Sequence, residues 1–256
     1  MKYICSYSGG KDSTASVILA HLKKEPLDTI LFSEVMFNEN TSGENPGHIE
    51  FITNRAKPLF ESWGYEVKIL RSEKTYLDLF HHVIKNPRKY ESHRGRKYGF
   101  AVTGRCSVKR DLKLKPIDNY LRSLGKEPYT QYVGICKDEP DRLRSMHRDK
   151  TKVSLLEKYG YTEEMAKNLC LEYGLLSPVY KLSRRGGCWF CPYAKLAEHE
   201  QLRDLYPEVW NTFVRLENEY NLANNRWNIY AETLAERDEI LKQRKRFHQL
   251  TIFDYM

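Results

Sequence analysis

The first fourteen residues constrain this chain more than any other stretch. Tyr3-Ile4-Cys5-Ser6-Tyr7 is an apolar and aromatic run that reads as a short buried strand. It breaks into Ser8-Gly9-Gly10-Lys11-Asp12-Ser13 and then into a helix-forming stretch over 14–24. Strand, glycine turn and helix in that order build a phosphate cradle. The two glycines let backbone N–H groups turn inward, and the helix N-terminus adds partial positive charge. A turn that merely joins strand to helix is the plainer alternative.

The same alternation continues. Buried strands are expected over 28–37, 65–70 and 129–135, with helices over 49–63, 75–85 and 107–124, the last stopping at Gly125. A polar, glycine-bearing stretch over 38–47 follows the second strand, where open α/β sheets bind ligands. Strands alternating with helices predict an α/β fold with a doubly wound, mainly parallel sheet. Beyond Val153 strand signals thin, and helices are expected over 162–173 and 197–220. This divides the chain into a nucleotide-binding domain over 1–150, a smaller helical part over 151–240 and a basic tail over 241–256.

The length of 256 residues suits one large domain with an appendage. No stretch approaches the roughly 20 apolar residues of a membrane span, and a strand beginning at residue 2 leaves no room for a leader, so a soluble, cytoplasmic protein is expected. Six cysteines there are thiols or metal ligands rather than a disulfide framework. The net charge of +8 is concentrated: eleven Lys/Arg lie between Lys85 and Lys115, against Glu91 and Asp111. That concentration points to a polyanionic partner, nucleic acid or a multiply charged nucleotide.

Cys188-Trp189-Phe190-Cys191-Pro192 is the second strong motif, a C-x-x-C turn that brings two sulfurs to one metal. Cys106, at the start of the basic helix, and Cys170 are the candidates for the two further ligands. Four thiolates suit zinc or an iron–sulfur cluster alike. Cys5, inside the first strand, reads as a packed core residue.

The turn is not a Walker A loop, because Cys5 stands where that motif needs glycine and Asp12 follows Lys11. It resembles the S-G-G-x-D-S signature of the PP-loop (adenine nucleotide α-hydrolase-like) ATP pyrophosphatases, matched from Ser8 to Ser13. Gly134-Ile135-Cys136-Lys137-Asp138-Glu139-Pro140-Asp141-Arg142 is similar to the G-I-R-x-x-E-S-x-x-R segment of the phosphoadenosine phosphosulfate reductase family. Two departures matter. Cys106-Ser107 replaces that family's tandem cysteines, and no cysteine follows Cys191 to act as the reductases' catalytic thiol. The pattern is nearer to the ATPase component of DNA phosphorothioation systems, with tRNA-thiolating PP-loop enzymes next.

What the resemblance implies is an ATP-dependent, pyrophosphate-releasing enzyme that activates a nucleic acid for sulfur insertion. Ser6, Tyr7, Ser8, Gly9, Gly10, Lys11, Asp12, Ser13 and Thr14, with Gly134, Lys137 and Arg142, would hold ATP or a sulfonucleotide. Lys11 would neutralise phosphate charge, and Asp12 would help hold Mg²⁺. Cys106, Cys170, Cys188 and Cys191 would carry a [4Fe–4S] cluster, with structural zinc as the alternative. Arg105, Lys109, Arg110, Lys113, Arg184 and Arg185 would collect the acceptor's phosphates. Cys136 takes the family's arginine position, as a nucleotide neighbour, a persulfide carrier or a core thiol. A sulfonucleotide reductase using an external thiol and a non-catalytic nucleotide-sensing DNA-associated module remain the alternatives. Gln249-Leu250-Thr251-Ile252-Phe253 resembles the peptide by which bacterial proteins dock on the sliding clamp.

Overall fold

The computed structural model describes residues 1–101, 106–181, 183, 187–228 and 232–253, with 245–253 described by backbone alone. Arg105, Arg184 and Arg185 lie outside the described residues, as do the side chains of the clamp-like segment.

Strand β1 (Lys2–Tyr7) passes through the glycine turn into α1 (Lys11–Lys23). Strand β2 (Thr29–Glu34) is buried at every position, as a parallel strand covered on both faces must be. Helix α2 (Pro46–Phe51) runs through a π-helical turn, Ile52–Ala56, into α3 (Lys57–Ser62), and β3 (Glu66–Arg71) follows. Helix α4 (Tyr76–Phe80) is held at its start by reciprocal Thr75 and Asp78 caps. The chain next forms β4 (Lys97–Gly99). The basic helix begins at Ser107, is π-helical over Lys109–Leu114 and continues as α5 (Lys115–Ser123). Then come β5 (Tyr129–Val133), α6 (Pro140–Met146), β6 (Lys152–Val153), α7 (Leu155–Lys158) and α8 (Glu163–Glu172). The remainder is α9 (Leu196–Leu205), α10 (Pro207–Leu216), β7 (Leu222–Asn224) and α11 (Leu234–Phe253).

The central sheet has the order β3-β2-β1-β5-β6, all parallel, flanked by helices. From β1 the chain builds outward through β2 to β3 on one side, and later through β5 to β6 on the other. The order therefore reverses between β1 and β5, where a crevice opens outside the carboxyl ends of the strands.

Several boundaries differ from the sequence expectation: α1 and α2 begin three residues earlier, β2 and β5 end sooner, and three further differences have a clear physical reason. The helix expected over 75–85 stops at Phe80, because Ile84 and Gly95–Arg96 pair with each other: Ile84 N–H donates to Arg96 O at 2.9 Å and Gly95 N–H to Ile84 O at 2.9 Å. The helix expected over 197–220 is split at Pro207, which has no N–H to continue it. The division near residue 150 falls inside the first hydrophobic core. That core runs from Cys5 to Leu175, because β6 extends the sheet and α7 and α8 pack on α1.

A second core gathers Val35, Phe37, Tyr76, Phe80 and Phe100 around Trp189, Phe190, Trp210, Phe213 and Trp227. It is an aromatic cluster, with Tyr76 stacked on Phe190 at 4.0 Å between centroids and Phe37 against Trp189 at 4.6 Å. The C-terminal helices thus fold onto the chain that leaves β2. No described helix is long and apolar enough to cross a membrane.

Candidate functional site

The glycine turn is fixed by contacts from far along the chain. Gly9 has φ +70°, and a Cβ there would lie 2.6 Å from Ile52 Cδ1 and 2.7 Å from His48 Cε1, so glycine is required twice over. Ser13 Oγ donates to Gly10 O at 3.0 Å and accepts the Ser8 N–H at 3.1 Å. Ser8 Oγ accepts the Gly10 N–H at 3.3 Å. His48, buried, sits 3.0 Å by Nε2 from Ser8 O and 2.7 Å by Nδ1 from Ser177 Oγ. A carbonyl only accepts, so Nε2 carries the proton and Nδ1 accepts from Ser177. Burial pushes the His48 pKa down and keeps that neutral tautomer, although the Glu44 carboxylate opposes the shift.

At the end of the turn the charges crowd. Lys11 Nζ lies 2.8 Å from Asp12 Oδ1 and 3.1 Å from Glu163 Oε2. Burial alone would lower the Lys11 pKa, but the hydrogen bonds it donates to the Asp12 and Glu163 carboxylates outweigh that and hold the ammonium charged. Cys136 Sγ donates to the same Asp12 oxygen at 3.2 Å, while its backbone N–H donates to Glu139 Oε2 at 3.0 Å. Burial first, and then the Asp12 charge, pushes the Cys136 thiol up, so it stays protonated. Among the described residues, Asp12, Cys136 and Glu139 are the three whose ligand atoms fall within 4.8 Å of one another. Arg142 pairs with Glu139 across the first turn of α6.

A cleft of about 790 Å³ opens at the reversal point. Of the nucleotide-site candidates, Ser6, Ser8, Gly10, Lys11, Asp12, Ser13, Gly134 and Arg142 line it. Gly134 presses β5's exit against α1: a Cβ there would lie 2.5 Å from Ser13 N and 2.7 Å from Asp12 C. Lys109 and Lys113 line the opposite wall, and Ser33 Oγ donates to Leu112 O at 3.2 Å to tie their helix to β2.

The other candidates lie elsewhere. Tyr7 and Thr14 are buried, with Thr14 Oγ1 3.5 Å from Tyr7 OH, because strand alternation turns Tyr7 into the core and Thr14 faces the sheet. Gly9 meets His48 and Ile52. Lys137 is exposed, and Arg110 is exposed and paired with Asp111. Cys5 is a core residue whose thiol is pushed up to about 12 by burial.

The C-x-x-C knuckle docks on the loop that leaves β2. Glu44 and Cys188 form an antiparallel bridge, Trp189 N–H donates to Gly43 O at 3.1 Å, and the Trp189 indole donates to Ser42 O at 3.0 Å. A Cβ on Gly43 would lie 2.6 Å from Phe190 Cε1. Cys191 N–H closes the turn onto Cys188 O at 3.0 Å. Burial, then the Glu44 carboxylate, pushes the Cys188 thiol up; Lys113 opposes, and Cys191 and Cys106 act in the same direction as Glu44. Cys106 caps the basic helix, its Sγ accepting the Lys109 N–H at 3.4 Å. Lys113 reaches from the cleft to Glu44 Oε1 at 2.8 Å and so joins the two sites.

Cys170 is not part of this group. It packs in the first core against α1, its thiol donating to Lys11 O at 3.2 Å. The four-cysteine set expected for a cluster is therefore split: Cys106 and Cys188 pack beside the second core, Cys191 closes onto Cys188, and Cys170 stands apart. Cys170 belongs to α8, which the first core claims.

Sequence reasoning missed His48, Glu44, Ser177 and Tyr180. The Tyr180 hydroxyl accepts the Lys11 N–H at 2.9 Å. Nothing local marks these residues, although Asn45-Pro46 did signal that α2 begins before Ile49. No family model matches this chain, and a search of curated proteins finds no match.

Proposed function

We propose that this chain is an ATP-dependent, pyrophosphate-releasing enzyme of the adenine nucleotide α-hydrolase-like kind that activates a nucleic-acid acceptor for sulfur insertion. The observation that carries the reading is the cleft itself. One crevice at the sheet's reversal point gathers the glycine turn, the Lys11–Asp12 pair, Gly134, Arg142 and the two lysines of the basic helix.

In this reading the turn and the α1 N-terminus receive the phosphates, and Lys11, already held charged, offsets the charge that develops on them. Asp12 and Glu139 supply carboxylate oxygens that suit Mg²⁺, which takes one or two carboxylates and completes its shell with water and phosphate. Asp12 and Glu139 would hold the ion, and the positive charge it supplies would neutralise phosphate. The Cys136 thiol donates to Asp12 and orients it, and its sulfur lies within the same group of ligand atoms. Lys109 and Lys113 line the cleft and would collect the acceptor's phosphates. The cysteines do not fit the expected four-ligand cluster, and no step here passes through them.

The test is product analysis with ATP, Mg²⁺ and single-stranded or transfer RNA and DNA acceptors. Pyrophosphate release that falls by about 100-fold or more in Lys11→Met is the expected result. Sulfite release from a phosphosulfate nucleotide would instead identify a reductase. ATP binding without pyrophosphate release for any acceptor would leave a sensing module.

A further inference from the structure

The most exposed aromatic ring among the described large hydrophobics lies far along the chain from the cleft residues, on Tyr220, at 81% exposure. It is held there by main-chain contacts. Asn221, in the left-handed region at φ +61°, accepts the Lys97 N–H on its carbonyl at 2.9 Å, and its side-chain amide donates to Gly95 O at 3.1 Å. The parallel ladder of β4 and β7 continues the contact, and Asn224 Nδ2 donates to Tyr98 O at 2.9 Å. Gly99, at φ +79°, is needed for it: a Cβ would lie 2.2 Å from Asn224 O.

The loop so joined to Tyr220 is strongly basic. Residues 81–97 contain six Lys/Arg against Glu91 alone. Lys85, Arg88, Lys89, Arg94 and Arg96 are exposed. Glu91 is taken by Arg94, and Glu219, beside Tyr220, is taken by Lys97 at 2.8 Å and His81 at 2.9 Å. A second exposed ring, Tyr90 at 52%, has Lys89 Nζ 5.0 Å above it and His93 beside it. Lys97 Nζ stands 5.0 Å from the Tyr220 ring.

We infer that this face, built from the 81–97 loop and Tyr220, is a docking surface for single-stranded nucleic acid, whatever chemistry the cleft performs. Two presented rings flanked by cations offer unpaired bases a stacking platform, and the unpaired lysines and arginines follow the phosphates. Stacked bases in a duplex cannot use such rings, so single strands are preferred. An anionic membrane would meet the charge as well, so vesicles enter the test as the competing ligand; among the described residues of the 81–97 loop, Val83 is the one exposed large aliphatic side chain.

The experiment is fluorescence anisotropy with a labelled oligonucleotide of about 20 nucleotides, single-stranded and as its duplex, and with vesicles of anionic phospholipid as a third arm. The wild type should prefer the single strand. Tyr90→Ala/Tyr220→Ala should weaken it about tenfold or more, while Tyr90→Phe/Tyr220→Phe keeps it. Arg88→Glu/Lys89→Glu should weaken it and flatten its salt dependence. Lys11→Met, which disables the cleft, should leave it unchanged, so failure of the cleft reading and failure of this one are separable. Equal binding by the alanine variant, preference for duplex or vesicles, or loss in Lys11→Met would overturn the inference.

Discussion

Tyr180 and Lys11 are 169 residues apart, yet the Tyr180 hydroxyl caps the first backbone N–H of α1 at 2.9 Å. That N–H belongs to the turn in which a phosphate would sit. Tyr180 satisfies the helix end in this structure, and under the proposed function it should yield that N–H to an anionic ligand.

Tyr180→Phe should destabilise the free protein by about 1 kcal/mol, the net worth of one hydrogen bond. With saturating nucleotide the difference from wild type should vanish, because the ligand supplies the acceptor. Thermal denaturation with and without ATP checks both halves. An equal deficit in both conditions would show that the phenol is never displaced.

Gly134→Ala should cost about 1–3 kcal/mol and weaken nucleotide binding together. The added methyl meets backbone, Ser13 N at 2.5 Å and Asp12 C at 2.7 Å, and no rotamer change relieves it. Urea denaturation and nucleotide titration measure the two effects. A stable variant that binds normally would mean that α1 and β5 can part without consequence.

Two buried histidines set an acid limit. His199 donates from Nε2 to Trp189 O at 3.0 Å and accepts from Arg237 on Nδ1 at 3.1 Å, so it is neutral. Burial, then the Arg237 charge, lowers its pKa to about 3. In the unfolded chain it titrates near about 6.5. As pH falls below that value the unfolded state binds a proton that the folded state refuses, and stability is lost down to the folded pKa. Each such histidine contributes a slope of about 1.4 kcal/mol per pH unit. His48, also shifted down, adds to the same window. Urea midpoints between pH 7 and pH 4 should show a slope for His199→Gln that is shallower than wild type by one proton.

The cysteines separate in the same way. Cys188→Ser and Cys106→Ser should each abolish any iron or zinc retained through anaerobic purification, whereas Cys170→Ala should retain the wild-type content. The reason is position: Cys106 and Cys188 flank the second core, and Cys170 is in the first. Metal and sulfide analysis of the three variants is the measurement. Equal loss in Cys170→Ala would return Cys170 to the site.

The strand, glycine turn and helix at the start were legible because each is a local pattern: an apolar run, a residue pair that permits the turn, and helical periodicity. The central strands and the basic helix were legible on the same grounds. Of the cations expected to collect an acceptor's phosphates, Lys109 and Lys113 line the cleft, whereas Arg110 is exposed and pairs with Asp111. What escaped is non-local. His48, Ser177 and Tyr180 act on the turn from positions that share no pattern with it. Strand β6 has only two residues, too few for any alternation. Cys170 looked like a ligand because spacing along the chain says nothing about which core a helix joins. The break at Pro207 was readable and overlooked.

The pairing of Glu44 with Cys188 sets where the thiols stand through main chain, not through rotamers. Side chains on a β-bridge alternate in facing, so a slip of one residue would invert the knuckle. The Glu44 side chain can be replaced without moving the sulfurs far. Deleting a single residue between Phe37 and Gly43 would turn Cys188 outward and carry Lys113's partner away from the crevice. The loop's length, more than its composition, is thus the ruler that spaces the cysteine knuckle from the sheet.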